Sequence, residues 1–289
     1  MTVTKEIIVS SSSGHHTWPS THYNQMVQGR DGAFLFNRND LYIGRSLAYY
    51  GEFSHLEMRM LRQLCSEGDV VIEVGANIGS HTVGLARQVG PSGRVLAFEP
   101  QRLVFQTLCA NVALNSLTQV DCYWAGVGAQ TGYLTVPELD PEQEDNFGGV
   151  SLLDGMEGRH VPSMTLNDFS GAPHVELIKI DVEGMELDVL AGGQHLLNKF
   201  SPHLYVENDR PEMAQALMRW LHQHGYRMFW HFPPLFNPDN HFGRADNMFG
   251  SLVSANMVCV HHSRPLPAAV AGLEPATDFA WHPILGQLP

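Results

Sequence analysis

The segment Val70–Thr82, VVIEVGANIGSHT, has the residue types of a small-molecule site at a strand-to-helix turn. An apolar strand carrying Glu73 turns through Gly75 and Gly79 into a helix. Nucleotide cofactors bind at such turns, outside the carboxyl ends of parallel strands. Dinucleotide sites need a glycine where this chain has Asn77, because the backbone must approach a pyrophosphate. The pattern therefore favours a nucleoside cofactor without phosphate, of which S-adenosylmethionine is one.

A second acidic residue stands at the spacing that ribose recognition requires. Glu99 follows an apolar strand and lies twenty residues after Gly79, where a carboxylate can accept hydrogen bonds from ribose hydroxyls. A tight turn and a surface acid would explain the same residues without a ligand, but the two signals agree. The sequence thus predicts a nucleoside site between Gly75 and Glu99.

Short β-branched runs alternate with amphipathic stretches, which predicts a parallel sheet covered by helices on both faces. The predicted strands are 70–74, 94–98, 120–127, 177–181 and 204–206, with a hairpin arm at 133–136. The predicted helices are 80–88, 102–114, 185–197 and 212–224. Two later strands, 226–232 and 256–260, have no helix between them. We expect these two to form an antiparallel edge.

Three segments are predicted along the chain. Residues 1–31 are Ser-, His- and Thr-rich, include His15 and His16, and indicate a flexible arm. A catalytic domain follows at 32–262, with a lead-in at 32–66, and a Pro-rich, extended tail at 263–289. The connections 137–160 and 233–250 exceed ordinary turns, which is typical of lids or binding loops.

Composition excludes several classes of partner. The chain has 289 residues, 44% hydrophobic and 16% charged, which is typical of a globular protein. Its 17 basic and 30 acidic residues give a net charge of −13, which argues against nucleic-acid or membrane-surface binding. Four widely spaced cysteines, the absence of a signal-peptide core and the absence of a long apolar run predict a cytoplasmic protein. Homo-oligomerisation is left open.

Taken together, these motifs make the sequence resemble the FkbM-type S-adenosylmethionine-dependent methyltransferases over residues 32–260. The matching segments are Asn39-Asp40, Tyr42–Leu47, Tyr50–Glu52, Gly68–Val71, EVGANIGSHT, AFEP at Ala97–Pro100, Asn111–Asn115, KIDVEGME at Lys179–Glu186, YVEND at Tyr205–Asp209 and Asn256–Val260. The resemblance implies an α/β, class I Rossmann-like fold with a seven-stranded, mostly parallel sheet whose last strand is antiparallel. Glu73 is a mild departure, since the family more often has Asp there.

The resemblance also implies roles for individual residues. Those near the cofactor are Glu73, Gly75, Asn77 and Gly79 around the methionine part, Glu99 at the ribose, Ala125 and Gly126 at the adenine, and Asp181 facing the transferable methyl group. A protonated hydroxyl or amide is a poor nucleophile, so a carboxylate or imidazole that orients or deprotonates it would help. The candidates for this role are Asp181, Glu183, Glu207 and His231. By the two-residue period of a strand, Lys179 lies on the face of Asp181 and is expected to pair with it or another carboxylate.

The sequence predicts O-methylation of a sugar or natural-product hydroxyl, without a metal ion. Two alternatives stay open, namely N-methylation of Asn side-chain amides in a ribosomally made peptide and a cofactor-binding protein that has lost catalysis. The loop 233–250 contains Phe236, Asn237, Asn240, His241 and Phe242, a composition suited to stacking on a sugar and bonding its hydroxyls. We expect this loop to hold the acceptor.

Overall fold

A computed structural model describes residues 23–149, 157–284 and 286, in which helices cover both faces of a mixed sheet. The strands are β1 (Asn24–Gln28), β2 (Ala33–Asn37), β3 (Val70–Val74), β4 (Arg94–Phe98), β5 (Val120–Tyr123), β6 (Gly126–Val127), β7 (Gly132–Val136), β8 (Arg159–Met164), β9 (Leu177–Ile180), β10 (His203–Glu207), β11 (Tyr226–His231), β12 (Asn256–His261) and β13 (Glu274–Pro275). The helices are α1 (Ile43–Tyr50), α2 (His55–Gln63), α3 (Thr82–Val89), α4 (Arg102–Leu114), α5 (Glu186–Ala191), α6 (Gln194–Phe200) and α7 (Pro211–Gln223).

The main sheet has the strand order β13-β11-β12-β10-β9-β3-β4-β5. Strands β10, β9, β3, β4 and β5 are parallel to one another, whereas β12 is antiparallel to both of its neighbours. This confirms the α/β, Rossmann-like fold with an antiparallel last strand. The antiparallel strand lies inside the sheet, between β10 and β11, and the two-residue β13 adds an eighth strand that the sequence did not predict.

Two apolar layers hold the sheet between its helices. On one face Val71 and Leu177 pack with Met58 of α2 and Leu85 of α3. On the other face Ile72, Ile178 and Val206 pack with residues of α5, α6 and α7. All five residues of β3 are buried, as expected for a central parallel strand covered on both sides. Among the described residues, no helix has the length and apolar character needed to cross a membrane.

Two predicted elements are divided in the structure. The predicted strand 120–127 separates into β5 in the main sheet and β6 in a small second sheet of order β6-β8-β7. The central strand of that sheet, β8, begins within the segment predicted to be the loop 137–160. The predicted helix 185–197 separates into α5 and α6 at Gly192 and Gly193. Position 192 admits only glycine, because a Cβ there would lie 2.1 Å from the backbone oxygen of Gly128.

The predicted flexible arm 1–31 is wrong for its last part. Strand β1 pairs antiparallel with β2 in a two-stranded sheet, and the side chain of Val27 in β1 is buried in the apolar core. Arg30 forms an ion pair with Glu52, which ties the same segment to the end of α1. Long-range partners therefore order this part of the chain. Residues 1–22, with His15 and His16, lie outside the described residues.

The predicted extended tail 263–289 packs against the sheet. Prolines keep long helices out of this segment, but Val270, Ala276 and His282 are buried. Strand β13 pairs with β11, and the indole of Trp281 makes a T-shaped contact with that of Trp230. Burial of apolar side chains thus holds the tail with little regular secondary structure. Residues 285 and 287–289 lie outside the described residues.

The buried carboxylate of Glu52 is one of several groups that hold the connection 233–250 to the lead-in. Glu52 is only 6% exposed and accepts hydrogen bonds from the Asn237 side chain at 2.8 Å and the His241 backbone N–H at 2.9 Å. Tyr50 adds a second anchor, because its backbone oxygen and its hydroxyl both bond to the loop. Asn240 is also buried and bonds to backbone atoms of Asn237 and Arg244. Asn237 and Asn240 therefore stabilise the loop, and its contact with an acceptor stays a prediction.

We expect Glu52→Ala to lower the free energy of unfolding by about 1–3 kcal/mol, because buried N–H donors on the loop and Arg30 lose their acceptor. Urea denaturation followed by circular dichroism measures the change. Glu142→Ala removes an exposed carboxylate and serves as the matched control, with an expected change within about 0.5 kcal/mol. Equal stability of both variants would contradict the anchoring role of Glu52.

Candidate active site

A cavity of about 730 Å³ opens at the carboxyl ends of β3, β4, β9 and β10. The chain order of the strands reverses between β3 and β9, since β4 and β5 extend the sheet on one side and the later strands on the other. Crevices at such a reversal are the usual ligand sites of parallel sheets, and this volume is ordinary for a small-molecule site. The polar residues of the candidate site lie around this cavity.

The turn after β3 brings two strand ends into direct contact. Gly75 has φ +80°, and a Cβ at this position would lie 1.8 Å from the backbone oxygen of Asp181. Asn77, at φ +51°, also has a left-handed backbone, which is uncommon for a residue other than glycine. Gly75 and Asn77 line the cavity, as predicted for residues around a cofactor.

Gly79 lies where α4 approaches the turn after β3. A Cβ at this position would meet Leu108 of α4 at 2.8 Å. Gly79 therefore permits close packing of α4 against the turn. It is not among the described residues that line the cavity, and its contact with the methionine part of the cofactor stays a prediction.

Glu99 lies at the cavity beside the turn after β3. Its side chain accepts backbone N–H bonds from Asn77 at 2.9 Å and from Gln101 at 2.8 Å, one on each oxygen. Burial raises the pKa of Glu99 to about 7, and the two N–H donors oppose that rise. A carboxylate oxygen has two acceptor positions, so each oxygen can accept one more hydrogen bond. These free acceptor positions fit a ribose diol, whose hydroxyls donate. Ala125 and Gly126, where the chain passes from β5 into β6 of the second sheet, line the cavity nearby.

A buried ammonium group lies under the cavity. Lys179 donates to Asp181 at 2.7 Å and stands beside Glu73 in the pairing of β9 with β3. Burial disfavours a charged lysine, but Asp181, Glu57 and Glu73 outweigh it and raise the pKa of Lys179. Lys179 therefore stays charged at neutral pH.

Two buried carboxyl groups share the surroundings of Lys179. Glu73 accepts a hydrogen bond from the Thr82 hydroxyl at 2.6 Å, and Glu57 accepts one from the Ser54 hydroxyl at 3.0 Å. Burial raises the pKa of each of these carboxyl groups to about 7. Glu73 lines the cavity as predicted, but it is directed at Thr82 and the lysine. A contact of Glu73 with the cofactor stays a prediction.

Three of the predicted catalytic residues come together. One carboxylate oxygen from each of Asp181, Glu183 and Glu207 lies within 4.8 Å of the other two. Lys179 pairs with Asp181, and Arg210 pairs with Glu183, whose backbone has φ +56°. Two of the three carboxylates therefore already have a cation from the protein.

The three carboxyl groups differ in protonation. Burial would raise the pKa of Asp181, but the nearby Lys179 ammonium outweighs it and the pKa lies below the ordinary value. Burial and the charge of Asp181 raise the pKa of Glu207 well above its ordinary value. Glu207 Oε2 is buried and has no hydrogen-bond partner among the described residues. Asp181 is thus ionised at neutral pH, Glu207 holds its proton more tightly than an ordinary glutamate does, and burial raises the pKa of Glu183 to about 7.

His231 does not reach the cavity. Its Nδ1 lies 2.8 Å from the Tyr205 hydroxyl, and burial lowers its pKa to about 4. It is absent from the described cavity lining. Strand β12 separates β11 from β10, and the His231 ring reaches across it to Tyr205 of β10. These contacts give His231 a packing role, and its catalytic role stays a prediction.

Several cavity residues were not named individually in the sequence analysis. Asn146, Gly148 and Leu235 fall in the two connections that were predicted to be lids or binding loops. The others are Tyr42, Ile43, Phe53 and Glu57 of the lead-in, Phe232 and 252–256 beside the long loop, and Pro283 and Ile284 of the tail. Among these others, Glu57 carried a usable signal. It falls at helical spacing with the apolar Met60, Leu61 and Leu64, which places a carboxyl group on the buried side of α2.

Comparison with known proteins identifies the family. The sequence pattern described as the methyltransferase FkbM domain matches residues 73–228, which is more than half of the chain. The chain belongs to the FkbM methyltransferase family. This match spans the turn after β3, Glu99 and all three clustered carboxylates, so the residues that surround the cavity lie within the family domain.

Proteins similar to this chain include methyltransferases from a fungus and an archaeon. Methyltransferase 1 of Beauveria bassiana is 30% identical over 143 residues, which cover 42% of this chain and 57% of that protein. Hexuronic acid methyltransferase AglP of Haloferax volcanii is 30% identical over 135 residues, covering 47% and 54%. The chain thus spans little more than half the length of these relatives. The crystal structure of methyltransferase FkbM from Methylobacillus flagellatus superposes with a TM-score of 0.44 at 18% identity, covering 67% of this chain and 44% of that chain.

We expect the affinity for S-adenosylhomocysteine to fall as the pH drops below about 7. Ribose hydroxyls would donate to the ionised form of Glu99, whose pKa without ligand is raised to about 7 by burial, so protonation competes with binding. One linked proton changes the affinity by up to about tenfold per pH unit. Calorimetry between pH 5.5 and 8 measures the slope.

Two variants isolate the contribution of Glu99 to that slope. Glu99→Gln is expected to bind more weakly and to lose the steep part of the pH dependence. Glu138→Gln, which changes an exposed carboxylate, should behave as the unmodified protein does. An unchanged slope in Glu99→Gln would exclude this carboxylate as the ribose ligand.

Proposed function

We propose that this FkbM protein uses S-adenosylmethionine to methylate a hydroxyl oxygen of a sugar or natural product. The observation that carries the proposal is the ionised Asp181, held by Lys179 at 2.7 Å, in the same cavity as the nucleoside-type site at Glu99. A cofactor site and a charged proton acceptor thus meet at the carboxyl edge of the sheet. This is the arrangement that transfer of a methyl group to a hydroxyl needs.

The cavity residues fit S-adenosylmethionine, which supplies an electrophilic methyl group on a sulfonium ion. Glu99 would bind the ribose hydroxyls with the two acceptor positions that its backbone bonds leave free. Gly75 and Asn77 would lie against the methionine part, and Ala125 and Gly126 against the adenine. The first two stand at the end of β3 and the second two beyond β5, on opposite sides of Glu99.

Asp181 would accept the hydrogen bond, and finally the proton, of the attacking hydroxyl. Its ionised state at neutral pH suits it to this role, and Lys179 fixes its orientation. Holding an acceptor in line with its target is itself a large part of catalysis in transfer reactions. Glu207, whose pKa burial and Asp181 raise well above its ordinary value, would hold a proton against Asp181 and so support the ionised form of that carboxylate.

One relative supports transfer to a small-molecule acceptor, since AglP is named a hexuronic acid methyltransferase. The proposal is tested with methyl-labelled S-adenosylmethionine and separate hexuronic acids, neutral glycosides, polyketide alcohols and Asn-containing peptides. NMR of the product identifies the methylated atom. Label only on peptide nitrogen would overturn O-methylation, and label on no acceptor would favour a non-catalytic protein.

The cytoplasmic location stays a prediction, and the oligomeric state is left open.

We expect Asp181→Asn to reduce kcat by about 10²–10⁴-fold and to leave the affinity for S-adenosylhomocysteine nearly unchanged, because the swap keeps the shape and removes the charge. Glu207→Gln is the matched control. Glutamine resembles the protonated form of Glu207, so kcat should stay within about threefold. Equal losses in both variants would contradict the assigned protonation states.

We expect EDTA to leave turnover unchanged. The three clustered carboxylates resemble a set of metal ligands, but Lys179 and Arg210 already neutralise two of them. Turnover is measured before and after dialysis against EDTA, and again after addition of Mg²⁺. Loss on chelation with recovery on Mg²⁺ would make the carboxylates metal ligands.

A further inference from the structure

A buried histidine holds the C-terminal tail directly behind the clustered carboxylates. The His282 side chain is fully buried and lies 2.7 Å through Nε2 from the backbone oxygen of Asn208. Since a carbonyl only accepts, Nε2 carries the proton, and Nδ1 accepts the backbone N–H of Ile284 at 3.3 Å. Asn208 stands between Glu207 and Asp209, which both line the cavity. His282 therefore ties the tail to the cavity floor.

Successive contacts bring the tail to that point. The Ala276 backbone N–H donates to the backbone oxygen of Met228 at 2.9 Å, next to the pairing of β13 with β11. The rings of Trp281 and His282 both meet the Trp230 indole edge to face, at centroid distances of 5.9 and 5.6 Å. The tail from residue 274 to 284 is thus fixed by backbone pairing, aromatic packing and one buried hydrogen bond.

The end of this segment forms a wall of the cavity. Pro283 and Ile284 line it, and Ile284 is 56% exposed. Leu252 and Val253, from the far side of the long loop, line the same cavity and are 41% and 46% exposed. Isolated exposed apolar residues are ordinary, but several large ones around one opening mark a binding surface.

These apolar residues lie on the acceptor side of the carboxylates. The ribose-type site at Glu99 follows β4, whereas the tail is held behind β10 and against β11, on the other side of β9 and β3. No residue assigned to cofactor binding or proton transfer belongs to the tail or to 252–253. An acceptor whose hydroxyl reaches Asp181 would extend toward this side.

We propose that Pro283 and Ile284, with Leu252 and Val253, bind an apolar part of the acceptor beside its reactive hydroxyl. His282 is a positioning residue, because it acts through the tail and contacts no substrate. The inference rests on the proposed function in assigning this half of the cavity to the acceptor. It adds that the tail determines which acceptors bind.

The neutral fluorescent dye Nile red tests the apolar wall, with saturating S-adenosylhomocysteine present to occupy the cofactor half. We expect Ile284→Asp and Val253→Asp each to weaken dye binding by about tenfold, since a charged group replaces an apolar contact. Leu266→Asp changes another exposed apolar tail residue that lies outside the cavity lining, and it should bind the dye normally. The affinity for S-adenosylhomocysteine should stay within about twofold in all three variants.

His282 variants test the positioning role. His282→Ala should weaken dye binding as Ile284→Asp does, and His282→Gln should restore most of it because an amide N–H can replace Nε2 as donor to Asn208. If His282→Ala fails to fold, the exposed Ile284 and Val253 variants still decide the proposal. Wild-type protein that binds S-adenosylhomocysteine but no dye, or Ile284→Asp that binds dye as the control does, would overturn this inference alone. Failure of the wild type to bind S-adenosylhomocysteine would overturn the proposed function as well.

Discussion

The arrangement of the active site depends on one buried ion, the ammonium group of Lys179. Removing a charge from water costs several kcal/mol, so a buried lysine persists only among groups that compensate it. Asp181 meets it at 2.7 Å, and Glu57 and Glu73 approach from α2 and β3. The same charge keeps Asp181 ionised, whereas burial raises the pKa of Glu57 and of Glu73 to about 7. Lys179 therefore links the packing of α2 on the sheet to the protonation of the cavity.

The sequence predicted the centre of the fold well because its signals there are local. The two-residue period of a strand placed Lys179 and Asp181 on one face, and they pair in the structure. The spacing of Glu99 from the first turn placed it at the cavity, although its ribose contact stays a prediction. For Gly79 the local motif was incomplete, because it did not reveal that this glycine lets Leu108 of α4 pack closely against the turn.

The periphery was predicted poorly because it is stabilised by distant partners. Strand β1 exists through pairing with β2, and the tail packs through contacts with β11 and with Asn208, all invisible in a window of sequence. His231 ends the aromatic strand β11, and a strand end suggested a place at the cavity. In the structure its ring bonds instead to the Tyr205 hydroxyl of β10, a partner two strands away that the sequence does not indicate. Apolar cavity residues likewise come from segments more than two hundred positions apart, such as Ile43 and Ile284.

The position of β12 also has a consequence for how the chain matures. Strands β10 and β11 are made before β12 but are separated by it, so each has an unpaired edge until residue 261 has left the ribosome. Exposed strand edges readily pair with other chains. Nascent chains that stop between residues 232 and 255 would therefore carry an open edge on β10 and a β11 segment that is not yet joined to the sheet. We expect chaperones to bind such fragments, whereas a chain that has added Asn256–His261 covers β10 and the facing edge of β11 at once and leaves only the outer edge of β11 for β13.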